Sequence, residues 1–270
     1  MNNKNLLIFY LLLLIILISI SRTLIKNKNT SFETQLINTK YYKKENKSRY
    51  LNYYNKNNSL SIKQIILNVN IGLDFPFYTN TKETDLSKNK LIIVNKYNYL
   101  NNLYTPQNLE ELNLKYANKN MKLTKEAKIA FEALSETASK ENLNIIAMST
   151  YRSYKYQQTL YNNYVLKDGK NLADTYSARP GYSEHQTALA VDVYNKQLSY
   201  LEFEQTKEFA WMQKNAHKFG FILRYPKNKE YITGYTYEPW HYRYIGIKEA
   251  TYIHKNNITF EEYYTKFVNT

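Results

Sequence analysis

A chain of 270 residues with 43% hydrophobic residues is long enough for one good-sized domain with extensions and a sizeable core. It contains no cysteine, which excludes disulfides, a lipid-modified cysteine and any thiolate metal site. The formal net charge of +14 fits attraction to anionic polymers or a membrane surface; each single Lys is still best read as solvated surface, and the 29 Tyr as base composition. Basic and aromatic residues interleave, as in nucleic-acid binders, but no nucleic-acid-binding motif appears, so no nucleic-acid partner is expected.

In chain order, Leu6 to Ile20 is apolar apart from Ser19 and the hydroxyl of Tyr10. At a helical rise it spans about 22 Å, short of a ~30 Å bilayer interior unless Ser21 to Ile25 joins with Arg22 snorkelling. Residues 1–25 therefore read as a membrane anchor or a cleavable signal segment, with the anchor favoured. Residues 26–58 are polar, without clear periodicity, and read as a tether. Residues 59–112 read as a short-strand region that packs on the C-terminal domain. Ile62 to Ile71 alternates imperfectly, and Leu91-Ile92-Ile93-Val94 forms a compact buried strand candidate.

That C-terminal domain, 113–270, opens with a helix signal: Thr124 as N-cap, Glu126 in the first turn, then Ala127, Ala130, Phe131, Leu134 and Ala138 at helical spacing. Leu143 to Met148 reads as a buried strand that delivers Tyr151-Arg152-Ser153 at its end, with Ser153 capping the next helix and Arg152 and Gln157 projecting from the corner.

The chemistry concentrates in Ser177 to Asp192 and in Glu238-Pro239-Trp240-His241. Leu189 to Tyr194 alternates with a period of two and reads as a half-buried strand carrying Asp192 on one face. His185 comes after a Pro180-Gly181 turn and stands an odd number of residues before Asp192, so it must sit in a bend or bulge. Pro239 disfavours a helix, which leaves Glu238 and His241 on an extended or turning segment. Two imidazoles, one carboxylate and a spare carboxylate are the parts of a catalytic zinc site with an open position. A lone His is more often structural than a ligand, and His217 and His254, each in a helical pattern, are read that way. No Gly-x-Ser-x-Gly elbow, no His-Glu-x-x-His helix and no phosphate loop is present, which removes the common alternatives.

Ser183-Glu184-His185-Gln186-Thr187-Ala188-Leu189-Ala190-Val191-Asp192, together with Glu238-Pro239-Trp240-His241 downstream, resembles the motif pair of the VanY-like zinc D-alanyl-D-alanine carboxypeptidases, which trim peptidoglycan stem peptides. The likeness extends to Tyr151-Arg152-Ser153 with Gln157, to Gly220 through Tyr225 and to Tyr242 through Gly246, and upstream to Val94 through Tyr97 and Tyr104-Thr105-Pro106. Ala188 departs from it, standing where the family has Gly.

The resemblance implies an α+β fold of the Hedgehog/D,D-peptidase type, a small antiparallel sheet with flanking helices cradling one zinc ion. It implies His185, Asp192 and His241 as metal ligands, Glu238 as general base, and Arg152 as the cation that stabilises the oxyanion. Gln157, Ser177, Ser183 and Trp240 become substrate-binding candidates; Arg179 is less supported, and Glu184 is a candidate to support a ligand. It places the enzyme at the extracytoplasmic face of a bacterial membrane, with stem peptides and anionic wall polymers as partners. Removal of the terminal D-alanine from D-alanyl-D-alanine stems is the expected activity. L,D-carboxypeptidases share the motif set, so action on tetrapeptides stays open, as does a non-catalytic wall-binding role.

Overall fold

The computed structural model describes residues 3–269, without the side chains of 3–6, 23–29 and 31, so the side chains of Lys26 and Lys28 lie outside the described residues. The chain divides into two compact units, Met1–Asp74 and Phe75–Thr270.

The first unit holds α1 (Asn3–Ile37), α2 (Lys47–Lys56) and α3 (Ile62–Ile71). On α1 the large apolar side chains from Leu7 to Ile18 are exposed. Among the described residues no helix is long and apolar enough to cross a membrane. The expected tether is helical instead, because its polar composition hides anchors. Phe32, Leu36 and Tyr50 bury themselves with Ile65, Ile66 and Val69 in a small core of their own. The strand expected at Ile62 to Ile71 is α3. Its buried residues recur at helical spacing, Ser61 and Gln64 form a reciprocal cap at its start, and Gly72 ends it in a left-handed turn. Those terminal signals outweigh an imperfect alternation.

The second unit contains β1 (Lys82–Glu83), β2 (Asn98–Tyr99), β3 (Leu109–Glu111), β4 (Lys122–Thr124), α4 (Lys125–Ser139), β5 (Ile146–Ser149), α5 (Tyr154–Asp168), α6 (Lys170–Tyr176), β6 (Ala190–Tyr194), α7 (Lys207–Asn215), β7 (Phe221–Leu223), α8 (Glu230–Thr233), β8 (His241–Tyr244), α9 (Ile247–Asn256) and α10 (Phe260–Phe267). Its centre is a four-stranded antiparallel sheet in the order β5-β6-β8-β7. The expected α+β fold with a small antiparallel sheet and flanking helices is what forms. Thr124 is the N-cap residue of α4, although its hydroxyl caps nothing, and the apolar stripe of α4 packs on the sheet through Phe131 against Phe221.

Leu189, Val191 and Val193 are buried in this core, which turns Asp192 to the opposite face of β6. A second cluster joins Ile93, Ile222 and Ile245 to α9 and α10. Ile92 to Val94 is buried, with Leu91 partly so, but the run forms no strand. The carbonyls of Lys90 and Ile92 accept instead from Nη2 of Arg243, at 3.0 and 2.8 Å, so a side chain replaces a ladder partner.

Candidate metal centre and substrate cleft

The strands place the site. In the sheet register Asp192 lies opposite His241 on one side and opposite Ser149 on the other. A bulge between Ala147 and Ser149 re-aims the end of β5 towards the cleft at this row. His185 sits in a tight 3-10 turn, Glu184–Thr187, that ends on Ala188 in the left-handed region at φ 54°. That turn is the bend the odd spacing demanded, and the positive φ is the physical reason a glycine suits position 188.

Nε2 of His185 lies 3.2 Å from Oδ2 of Asp192. Nδ1 of His241 lies 2.9 Å from Oδ1 of the same carboxylate. One ligand atom from each of the three residues falls within 4.8 Å of the others, and all three side chains are buried. The second nitrogen of His185, Nδ1, is 2.6 Å from the carbonyl oxygen of Thr150. Donation of the Nδ1 proton there leaves the Nε2 lone pair facing Asp192. Two imidazoles and a carboxylate, converging with one His tautomer already fixed, fit a zinc ion.

Electrostatics separate the two carboxylates. Asp192 stays well below the usual carboxylate range: burial opposes its charge, but His185, His241 and Arg152 outweigh it. Glu238, 3.8 Å from Nδ1 of His241, is pushed up to about 8, first by burial, with the charges of Asp192 and Glu184 adding to it. Burial, then Arg152, lowers His185 and favours the neutral, ligating imidazole.

The cleft beside this group has a volume of about 410 Å³ and is lined by Arg152, Gln157, Ser177, Ser183, Glu238 and Trp240, so the catalytic and substrate-binding candidates other than Arg179 converge on it. Arg152 donates to Oδ2 of Asp192 at 2.6 Å and to Oγ of Ser149 at 2.8 Å. It is the one Lys or Arg on the cleft wall among the described residues. Gln157 holds its amide in place by donating to the carbonyl of Ala178 at 2.8 Å, while its buried Oε1 has no partner among the described residues. Trp240 meets Tyr200 edge to face.

One candidate does not fit the cleft, and one stretch of the resemblance lies apart from it. Arg179 is tied to both carboxylate oxygens of Asp174 and lies over the Tyr78 ring. Tyr104-Thr105-Pro106 lines a separate groove with Thr187 and Leu189. Sequence reasoning missed Ser149, Tyr200 and Tyr225. Ser149, two residues before the Tyr151-Arg152-Ser153 run, and Tyr225, the end of the Gly220–Tyr225 resemblance, carried a signal; Tyr200 carried none.

The pattern of the VanY family, described as D-alanyl-D-alanine carboxypeptidase, matches residues 120–247. YodJ of Bacillus subtilis (strain 168), which bears a carboxypeptidase name, is 38% identical over 212 residues, covering 74% of this chain and 78% of YodJ. The chain belongs to the VanY carboxypeptidase family. Among solved structures it is similar to the LdcB LD-carboxypeptidase, with a TM-score of 0.64, 39% identity, and coverage of 70% of this chain and 91% of LdcB. It is also similar to a mutant of the D,D-pentapeptidase VanY from the VanB-type resistance cassette, solved with Zn(II), at a TM-score of 0.57, 33% identity, and coverage of 64% and 98%. Within the VanY family pattern, the stretch 120–247 spans the whole row of Asp192, His241 and Ser149 and all the cleft residues named from sequence.

Proposed function

We propose that the chain is a zinc-dependent carboxypeptidase that removes the C-terminal D-alanine from peptidoglycan stem peptides. The observation that carries this reading is the convergence of His185, Asp192 and His241 beside a buried Glu238, within a chain of the VanY family.

His185 through Nε2, Asp192 through its carboxylate and His241 through Nδ1 would hold the ion. Bound zinc supplies Lewis acidity that polarises a carbonyl and lowers the pKa of water. Glu238 takes the proton of the attacking water on its carboxylate and passes it to the leaving amine. The Arg152 guanidinium stabilises the oxyanion from the cleft wall. Gln157 offers its unpartnered Oε1 to a peptide N–H, and the hydroxyls of Ser177 and Ser183 bind the substrate's polar end. Trp240 and Tyr200 shape an apolar wall for the D-alanine methyl.

A second reading, L,D-carboxypeptidase action on tetrapeptide stems, is favoured by the likeness to LdcB. The exposed apolar side chains Leu7 to Ile18 support membrane attachment through the N-terminal segment, with the catalytic unit on the extracytoplasmic side where stem peptides lie. The net charge of +14 supports attraction to anionic wall polymers.

The test is D-alanine release from a stem pentapeptide ending D-Ala-D-Ala and, separately, from a tetrapeptide ending in one D-Ala, with Glu238→Gln as control. Release from the pentapeptide that Glu238→Gln abolishes supports the D,D reading. Release from the tetrapeptide alone supports the L,D reading, and release from neither by zinc-loaded protein refutes both. Retention of the full chain in membranes after carbonate extraction checks the attachment.

A further inference from the structure

Behind His241, on the side away from Asp192, four fully buried charges neutralise one another. Oε1 of Glu184 accepts from Nε of Arg224 at 2.8 Å and from Nη1 of Arg243 at 2.9 Å. Arg224 continues to Glu261 through two bonds of 3.0 and 2.6 Å. Burying four charges is costly unless each is paired, and replacing such a set by apolar side chains is often neutral or stabilising. Stability alone therefore does not account for the set.

What it leaves over is specific. Both bonds from the arginines fall on Oε1 of Glu184. Among the described residues its Oε2 is buried with no hydrogen-bond partner, and so is Nε2 of His241. These two atoms face each other at 3.5 Å. Each is the partner the other lacks, given an inward shift of a few tenths of an ångström and a proton on Nε2.

We propose that Glu184, locked by Arg224 and Arg243, is a positioning residue that holds the His241 proton on Nε2 and so turns the Nδ1 lone pair towards His185 and Asp192. The two ligating histidines are then set by different devices, a backbone carbonyl for His185 and a buried carboxylate for His241. Glu261 accepts from Arg224 and Asn95, on the far side of Arg224 from Glu184 in the hydrogen-bond chain. The inference rests on the metal-site reading proposed for His185, Asp192 and His241.

The test uses the full chain and compares Glu184→Gln with Glu261→Gln. Both remove one negative charge from the same network. Only the first replaces an acceptor facing Nε2 by an amide that can donate to it, which favours the wrong tautomer. Zinc affinity, measured by competition with a chelating dye, is expected to fall about 10–100-fold in Glu184→Gln and to stay within about threefold in Glu261→Gln, while the metal-free melting temperatures of both fall. Equal losses of zinc affinity, or none in either, overturn the proposal.

A second measurement needs no variant. Long-range ¹H–¹⁵N spectra of the histidine-labelled, zinc-loaded wild type should show the His241 proton on Nε2, and a proton on Nδ1 overturns the proposal even if Glu184→Gln does not fold. Zinc bound through His241 with that proton on Nδ1 defeats this inference alone. A wild-type chain that binds no zinc defeats the metal-site reading and this inference with it.

Discussion

Asp192 and His241 are direct partners across the antiparallel pair β6 and β8, and their side chains meet at 2.9 Å between Oδ1 and Nδ1. Cross-strand neighbours on one face are held at fixed spacing by the backbone ladder, so this half of the site is rigid before any ligand arrives. Only His185 depends on a turn for its place.

Removing a ligand from this row should therefore abolish metal binding without unfolding the sheet. Asp192→Asn is expected to weaken zinc by more than the roughly 100-fold typical of supporting residues, with far-ultraviolet circular dichroism unchanged. Chelation of the wild type should stop D-alanine release and lower the melting temperature, and added zinc should restore both.

Glu238 titrates near 8 in the metal-free protein, against 4.5 for an ordinary glutamate. Below pH 4.5 the group is protonated in both the folded and the unfolded chain, and its contribution to stability is fully present. As pH rises towards 8 the unfolded chain releases the proton first, and the contribution is lost. Glu238→Gln, which stays neutral, should thus be more stable than the wild type in metal-free form at pH 8, with the difference vanishing near pH 4.5 in thermal melts. In the zinc-loaded enzyme the same variant should lose about 10²–10⁴ in kcat while still binding zinc.

Arg152 bonds to both Asp192 and Ser149 and lines the cleft. If its guanidinium stabilises the oxyanion, Arg152→Ala lowers kcat by about 10²–10³ with a smaller change in KM. A loss confined to KM would reassign Arg152 to the substrate carboxylate.

Ala188 holds a left-handed conformation at φ 54° and is fully buried. Gly accepts that conformation without a Cβ clash, so Ala188→Gly should stabilise the chain by about 0.5–1 kcal/mol, a rise of roughly 1–4 °C in Tm, with the His185 turn intact. A drop in Tm would mean that the buried methyl contributes more through packing than it costs in strain.

The sequence by itself determined where the candidate chemistry lies. The two motifs carry the family resemblance that implies the ligand set and the spare carboxylate, and the strand under Asp192 and the α4 stripe rest on short-range periodicity, which survives in one dimension. It also required His185 to leave the strand line, and the 3-10 turn does so. Tertiary structure decided what long-range pairing controls. Ile92 and Ile93 look like a strand, yet their carbonyls accept from Arg243 and from the Thr84 hydroxyl rather than from a ladder. Tyr50 and Leu36 look like parts of a polar linker, yet they close a core with α3. Arg179, the less supported candidate in the sequence, is ruled out only in the fold, where Asp174 claims it. Only the folded chain brings Glu184, Arg224, Arg243 and Glu261 into one buried set, because Arg224 lies 40 and 37 positions from its two carboxylate partners and no local pattern encodes their meeting.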